Sequence, residues 1–356
     1  MRTLATIQKI ADLQPIEGRD RIELASVLGW RVIVKKDEFK IGDLCVYIEI
    51  DSVLPEKEEF EFLRSKKFRI RTMKMAGVIS QGICFPLSIL PGSEYEEGDD
   101  VTDVIGVTQY EPEMDDPVKV DEPKKKSWLM RFKWYRNWKK KAGNSAFPSF
   151  LSKTDEIRIQ NAPWMLEDKE PYILTEKVDG CSGSFALVRH KFLFWSRYEF
   201  IVCSRNRRLP VNDGSVYWQV AEKYNLAAKL RNMIGRYDWI AIQGECIAPK
   251  VQGNKYKITS PRFYAFNLIT PEGRFGSIKA KGILSVFEVE FVPIISIDQR
   301  LPDTVEEMLA MAHGQTMIPP DGEIRPRGLR EGLVVRSRDG KKSFKAVDPE
   351  FLLKYC

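Results

Sequence analysis

Residues 1–105 alternate apolar and polar positions in short runs, punctuated by Gly29, Gly42-Asp43 and Pro91-Gly92. Period-two alternation bounded by turn residues predicts strands, here over 4–10, 21–27, 30–34, 45–50 and 78–85. Strands this short, closely spaced and with little helix between them predict a small β-barrel. The alternation stops over 106–123, where Pro112, Pro117, Pro123 and the acids Glu111, Glu113, Asp115 and Asp116 mark a linker. Apolar runs over 172–174 and 185–188 flank Asp179-Gly180 and predict a strand, a tight turn and another strand. Val216, Val220, Tyr224, Ala227 and Leu230 recur at helical spacing and predict one packing helix over 216–233. Residues 239–247 and 263–269 read as buried strands, the first interrupted by Gln243-Gly244-Glu245. Asp303-Thr304-Val305-Glu306 opens a short helix with a capping-box pattern. Residues 332–336 and 343–347 are expected to pair across a turn at Asp339-Gly340.

The chain has 356 residues, enough for two domains with separate cores. Its net charge of +6 permits a phosphate-rich partner without requiring one. No apolar run approaches membrane-spanning length, and the polar start at Met1-Arg2-Thr3 is no signal peptide. A cytoplasmic, monomeric protein with no membrane partner is expected. The six cysteines are scattered without a Cys-x-x-Cys pair, and the two histidines are His190 and His313. That spacing argues against zinc and against a histidine base. It leaves lysine, carboxylates and a metal to carry any chemistry.

Several stretches have the residues for it. Lys177 and Asp179 are two apart, so an extended segment points both to one side. A lysine becomes a nucleophile when its amine is neutral, and a carboxylate can hold a metal through oxygen. Ordinary charges on a surface hairpin would look the same. Lys67, Arg69 and Arg71 would share one face of a strand, as a phosphate-tracking edge or a charged protective one. Over 124–141 lysines and arginines occur without an acid, interleaved with Trp128, Phe132, Trp134, Tyr135 and Trp138. Such a segment suits nucleic acid, and as an amphipathic helix it also suits a protein or membrane surface. Ser204-Arg205-Asn206-Arg207-Arg208 supplies donors for phosphate or hydroxyl groups. Glu245, inside an apolar strand, needs a partner or a metal to offset its burial.

The opening pattern Ile16-Glu17-Gly18-Arg19-Asp20-Arg21 resembles the start of OB-type nucleic-acid-binding domains. Further on, Lys177-Val178-Asp179-Gly180, Ser204-Arg205-Asn206, Gly244-Glu245, the aromatic strand, Glu331-Gly332-Leu333-Val334-Val335 and Lys345 form an ordered series. It resembles the covalent nucleotidyltransferase superfamily of ATP-dependent RNA ligases, DNA ligases and capping enzymes. Phe147-Pro148-Ser149-Phe150, the run 153–161 and the run 343–354 bring the likeness closest to RNA ligases with an N-terminal OB domain, of the Naegleria and Deinococcus type.

The resemblance implies an α+β chain: an OB-like barrel over 1–105, a linker with the basic aromatic segment over 106–145, and an adenylyltransferase domain over 146–356 built on antiparallel sheets with flanking helices. It implies that Lys177 becomes lysyl-AMP at the expense of ATP, and that the AMP passes to an RNA 5′-phosphate before a 3′-hydroxyl seals the strand. Asp179, Glu245 and Glu331 are then expected to hold Mg²⁺ or Mn²⁺, and Lys345 to contact the α-phosphate. Arg205 is expected at ribose or phosphate, and Phe266 at adenine, with Tyr264 second. The Glu176 backbone is expected to read the adenine amine. The site must also lower the Lys177 pKa from about 10.4. RNA ends, including nicks with an RNA 3′-OH strand, are the implied partners.

Two positions depart from the pattern. Ser343 and Val347 flank Lys345 where a second lysine often stands, and Asn267 follows Phe266 where an acid is common. The chain ends eleven residues past Lys345, so the later OB domain of DNA ligases and capping enzymes is not expected. An OB protein carrying an inactive nucleotidyltransferase domain is the alternative from another class.

Overall fold

The computed structural model of the chain describes residues 3–92, 94–110 and 146–355. The basic aromatic segment 124–141 lies outside them. The chain starts with β1 (Ala5–Ile16), β2 (Arg19–Val27), β3 (Trp30–Lys35) and β4 (Leu44–Ile48). Next come β5 (Ser52–Val53), β6 (Met73–Met75), β7 (Val78–Ser80) and β8 (Ile83–Pro86). β9 (Thr108–Gln109) pairs with β5. Five of these strands form one antiparallel sheet in the order β3-β2-β1-β4-β8. β1 gives residues 5–9 to β4 and residues 10–16 to β2, with a register shift between Ile10 and Asp12. A bulge bends a strand, and the sheet curls into a half-barrel around Ile7, Ile10, Trp30, Val46 and Ile48.

The single strand expected over 78–85 is two strands, β7 and β8. The basic run 66–74 is also not the strand expected. Residues Glu58–Lys66 form a 3-10 helix, and Lys67 and Phe68 both turn left-handed, with φ of 52° and 55°. Arg69 folds inward onto Asp51 at 2.8 Å, with the Tyr110 ring 3.5 Å away. Lys67 and Arg71 stay exposed, so the three cations share no phosphate-tracking face.

The rest of the chain adds β10 (Tyr172–Lys177), β11 (Cys181–Lys191), β12 (Ser196–Cys203), β13 (Trp239–Ile247) and β14 (Arg262–Thr270). It continues with β15 (Gly273–Arg274), β16 (Ile294–Gln299), β17 (Gly332–Ser337) and β18 (Ser343–Val347). They form two antiparallel sheets, β16-β10-β17-β18 and β12-β11-β13-β14-β15. Tyr172, Leu174, Leu333, Val335, Phe344 and Ala346 form the core of the first sheet with helix Val305–Ala312. Phe185, Ile242 and Phe263 form that of the second, under helices Val216–Lys223, Leu226–Met233 and Ser277–Val286.

The helix expected over 216–233 breaks in two, because Asn225 is left-handed with φ of 48°. The capping box of helix Val305–Ala312 is reciprocal and uses Thr304 and Glu307. The β17–β18 hairpin forms as expected.

The two parts are joined through residues 157–161. Lys345 N donates to Ile157 O at 2.8 Å, and Gly29 N donates to Gln160 O at 2.9 Å. The Trp30 indole donates to Asn161, whose amide donates to Glu49. Arg158, almost fully buried, reaches Asp51 at 3.4 Å. Val347 and Leu352 pack inside the half-barrel's own core.

A Cβ at Gly29 would lie 2.8 Å from Gln160 Cα and 2.9 Å from Val305 Cγ2. Gly29→Ala should therefore destabilise the protein by about 1–3 kcal/mol through overpacking. A urea-unfolding midpoint identical to that of the parent would refute close contact at this seam.

Candidate active site

Lys177 ends β10 in one sheet, and Cys181 begins β11 in the other. The turn at Asp179-Gly180 is thus no hairpin; residues 178–180 carry the chain from sheet to sheet. A Cβ on Gly180 would lie 2.5 Å from Cys246 O and 2.8 Å from Ile247 Cγ2. Glycine lets the crossing lie directly against β13, and this brings Lys177 and Asp179 to the mouth between the sheets.

Register places the remaining groups. Lys177 pairs with Gly332, and Thr175 with Val334, which pairs in turn with Lys345. Directly paired residues share a face, as do residues two apart. Lys177 and Lys345 therefore stand on the same face of the first sheet. Glu176 points to the opposite face. Its buried carboxylate accepts from Met317 N at 2.7 Å and from the Thr316 hydroxyl, so it holds the 316–317 segment. Burial raises its pKa, and those two donors act against the rise. Its backbone N is spent on Pro293 O at 2.8 Å.

Three carboxylates surround Lys177. Its Nζ lies 2.6 Å from Glu331 Oε2. Asp179 binds Lys255, and the Asp179 amide donates to Tyr256 Oη at 2.8 Å. Glu245 enters from β13, opposite Ser182 and Tyr264. Burial, followed by the charge of Glu331, pushes Asp179 up to about 6, while Lys255 pulls it down. Burial pushes Glu245 well above the usual carboxylate range, against the pull of Lys177.

The sequence led us to expect a lysine with a lowered pKa. Burial does push the Lys177 ammonium down, but Glu331 and Glu245 more than offset it and hold it above its ordinary value. Neutralising these acids would leave burial to favour the neutral amine. Among the described residues, no three acidic, histidine or cysteine groups converge to enclose a bare ion. Three acids nonetheless gather about Lys177 and Lys255, with Lys345 on the same sheet face. Their oxygens are of the kind that suits a hard divalent cation keeping much of its water.

Phe266 and Tyr264 lie on β14 in an apolar cluster with Val178, Ile247, Tyr256 and Ile318. Tyr264 is buried, whereas Phe266 is only half-buried. Behind Phe266 runs a polar relay that the sequence did not reveal. Arg336, buried on β17, donates to Phe266 O at 2.8 Å, Asn267 Oδ1 at 2.9 Å and Glu156 Oε1 at 3.0 Å. Asn267 donates onward to Gln243 at 2.8 Å, and Gln243 to Ser184 at 3.1 Å.

This relay accounts for both departures from the motif. Asn267 both accepts and donates, which an ionised acid cannot do. Ser343 donates to Glu156 at 2.5 Å, and Val347 is apolar because it fills the half-barrel core. Arg205 stands apart from the carboxylates and forms an ion pair with Asp155. That segment approaches the site where Thr154 Oγ1 meets Ser182 Oγ at 2.6 Å.

A half-barrel followed by two antiparallel sheets, with a lysine among carboxylates at their mouth, defines the class of chain this is: an OB-fold domain joined to a lysine-centred sheet domain. The family model for an OB-fold domain matches residues 4–87, and that for RNA ligase matches residues 170–355. The chain belongs to the RNA ligase family. It is similar to Naegleria gruberi RNA ligase with PPi, at 30% identity and a TM-score of 0.82, covering 100% of this chain and 99% of that one. A mutant of that ligase with ATP and Mn matches at 30% identity and a TM-score of 0.80, with 99% of each chain covered. Another, with AMP and Mn, has a TM-score of 0.82 at the same identity and coverage. A search of curated protein sequences gives no match.

Arg336→Ala would leave Glu156 and Asn267 without their buried partner. A loss of about 3–5 kcal/mol in unfolding free energy is expected, larger than that for the exposed Arg338→Ala. Equal denaturation midpoints for the two variants would refute the relay.

Proposed function

We propose that this chain is an ATP-dependent RNA ligase acting through Lys177, with a role in RNA repair. Lys177 Nζ attacks the α-phosphorus of ATP, a P–N bond forms, and pyrophosphate leaves. The AMP then passes to an RNA 5′-phosphate, and an RNA 3′-hydroxyl displaces it to join the ends. The observation that carries this reading is the Lys177 ammonium set against Glu331 at 2.6 Å, with Asp179 and Glu245 beside it. The ATP, AMP and manganese bound to the Naegleria mutants support the choice of nucleotide and metal.

Asp179, Glu245 and Glu331 would hold Mg²⁺ or Mn²⁺, directly or through its waters. When bound, the ion neutralises these acids and charge on the phosphates. Burial then acts on Lys177 without its counterweight and favours the neutral amine. Lys345, on the same sheet face, is assigned to the α-phosphate. Phe266 is assigned to adenine, on the face that Arg336 backs, and Arg205 to ribose or phosphate at the rim. The Glu176 backbone carbonyl is assigned to the adenine amine, while its carboxylate fixes residues 316–317. The division into 1–105, 106–145 and 146–356 is part of the proposal. The complete set of Lys177, Asp179, Glu245, Glu331 and Lys345 argues against an inactive binding module.

Incubating the protein with α-labelled ATP and magnesium should give a covalent adduct that Lys177→Ala abolishes and that labelled GTP does not give. No adduct with any divalent metal would sink the proposal. Phe266→Ala should raise the KM for ATP in adduct formation by roughly tenfold, a loss expected for one base–aromatic stack. Nicks with RNA on the 3′-OH side should seal faster than nicks with DNA there; the reverse preference would reassign the substrate.

A further inference from the structure

Lys255 is the second cation among the carboxylates, and no motif announces it. It sits in the loop after β13, where Gln252, Gly253 and Asn254 are all left-handed, with φ of 49°, 69° and 49°. The Asn254 side chain closes that loop, accepting from Ile258 N at 3.0 Å and donating to Ile258 O at 2.9 Å. The tight turn aims two successive side chains at one residue. Lys255 Nζ meets Asp179 Oδ2 at 2.5 Å, and the Tyr256 hydroxyl accepts from the Asp179 amide. The ion pair is well shielded, with the lysine 15% and the aspartate 12% exposed.

On its other side the same ammonium faces two aromatic rings of helix Pro349–Tyr355. The Phe351 ring centre is 4.7 Å away and that of Tyr355 is 5.3 Å away. Aromatic faces hold an ammonium best when it is partly desolvated. Lys255 thus touches the Asp179 carboxylate and the ring pair at once, so the rings still hold it if the carboxylate is taken.

We propose that Lys255 is a displaceable counter-cation. It neutralises Asp179 in the metal-free protein and gives up that carboxylate to a divalent cation, keeping its hold on Phe351 and Tyr355. The proposal rests on the metal assignment made above. Like charges in a shielded site repel strongly, so the lysine and the metal compete for one acid. Lys255 is here a positioning residue that sets metal affinity; it forms no bond to the reacting atoms. A lysine that merely propped Asp179 in place would act in the opposite sense, since losing it would weaken metal binding.

The test is Mn²⁺ binding to the full chain without nucleotide, followed by electron paramagnetic resonance. Lys255→Met and Lys255→Gln should each bind Mn²⁺ about tenfold more tightly, as expected when one competing charge is removed. Tyr355→Leu removes one of the rings that hold the ammonium and should bind about threefold more weakly. Unchanged or weaker binding in both folded Lys255 variants overturns this inference, as does tighter binding in Tyr355→Leu. If the parent protein shows no saturable Mn²⁺ site, the metal assignment itself falls.

Discussion

The active-site mouth depends on a chain crossing that takes three residues. Between Lys177 and Cys181 the backbone leaves one sheet and enters the other, pressed so closely to β13 that residue 180 has room for no side chain. Every other group is placed relative to that crossing. β17 brings Glu331 to the end of β10, β13 brings Glu245 from the far sheet, and β18 sets Lys345 on the Lys177 face. Two sheets that met elsewhere would separate the acids from the lysine, and the buried charges would lose neighbours that make them tolerable.

The arrangement stores opposing electrostatic demands. Burial disfavours every charge in the mouth, yet the acids stabilise the ammonium and the ammoniums stabilise the acids. Ligand-free, the balance favours a charged lysine. An added positive charge among these acids would remove what holds the ammonium charged and leave burial to favour the neutral amine. Behind this charged layer, Arg336, Asn267, Glu156 and Gln243 form a neutralised layer that ties the sheets together and backs the aromatic wall.

Much of this was legible in the sequence, and the exceptions have physical reasons. Lys177, Asp179, Glu245 and Glu331 could be read because together they form an ordered series that resembles a known family, whereas the local pattern at Lys177 alone looked like an ordinary hairpin. Lys255 could not be read, because it lies in a loop and its partner is 76 residues away. Arg336 looked like an ordinary strand residue, since sequence does not show that both faces of β17 are covered. The basic run 66–74 misled because alternation of charge imitates a strand. Two left-handed residues, Lys67 and Phe68, rotate the chain instead and send Arg69 inward. The long helix failed at Asn225 for a similar reason, as one left-handed residue interrupts apolar spacing that reads as continuous.

Val347 and Leu352 sit inside the half-barrel, about 300 residues in sequence from the strands they cover. Contacts that distant are the slowest to form, because a long loop must close before they give any return. On a ribosome the half-barrel emerges first, with part of its apolar interior uncovered, and waits for β18 and the helix after it. The last described strand supplies Lys345 to the site and Val347 to that interior. Assembly of the site and completion of the half-barrel are therefore one kinetic event, and a chain halted before residue 343 leaves both unfinished.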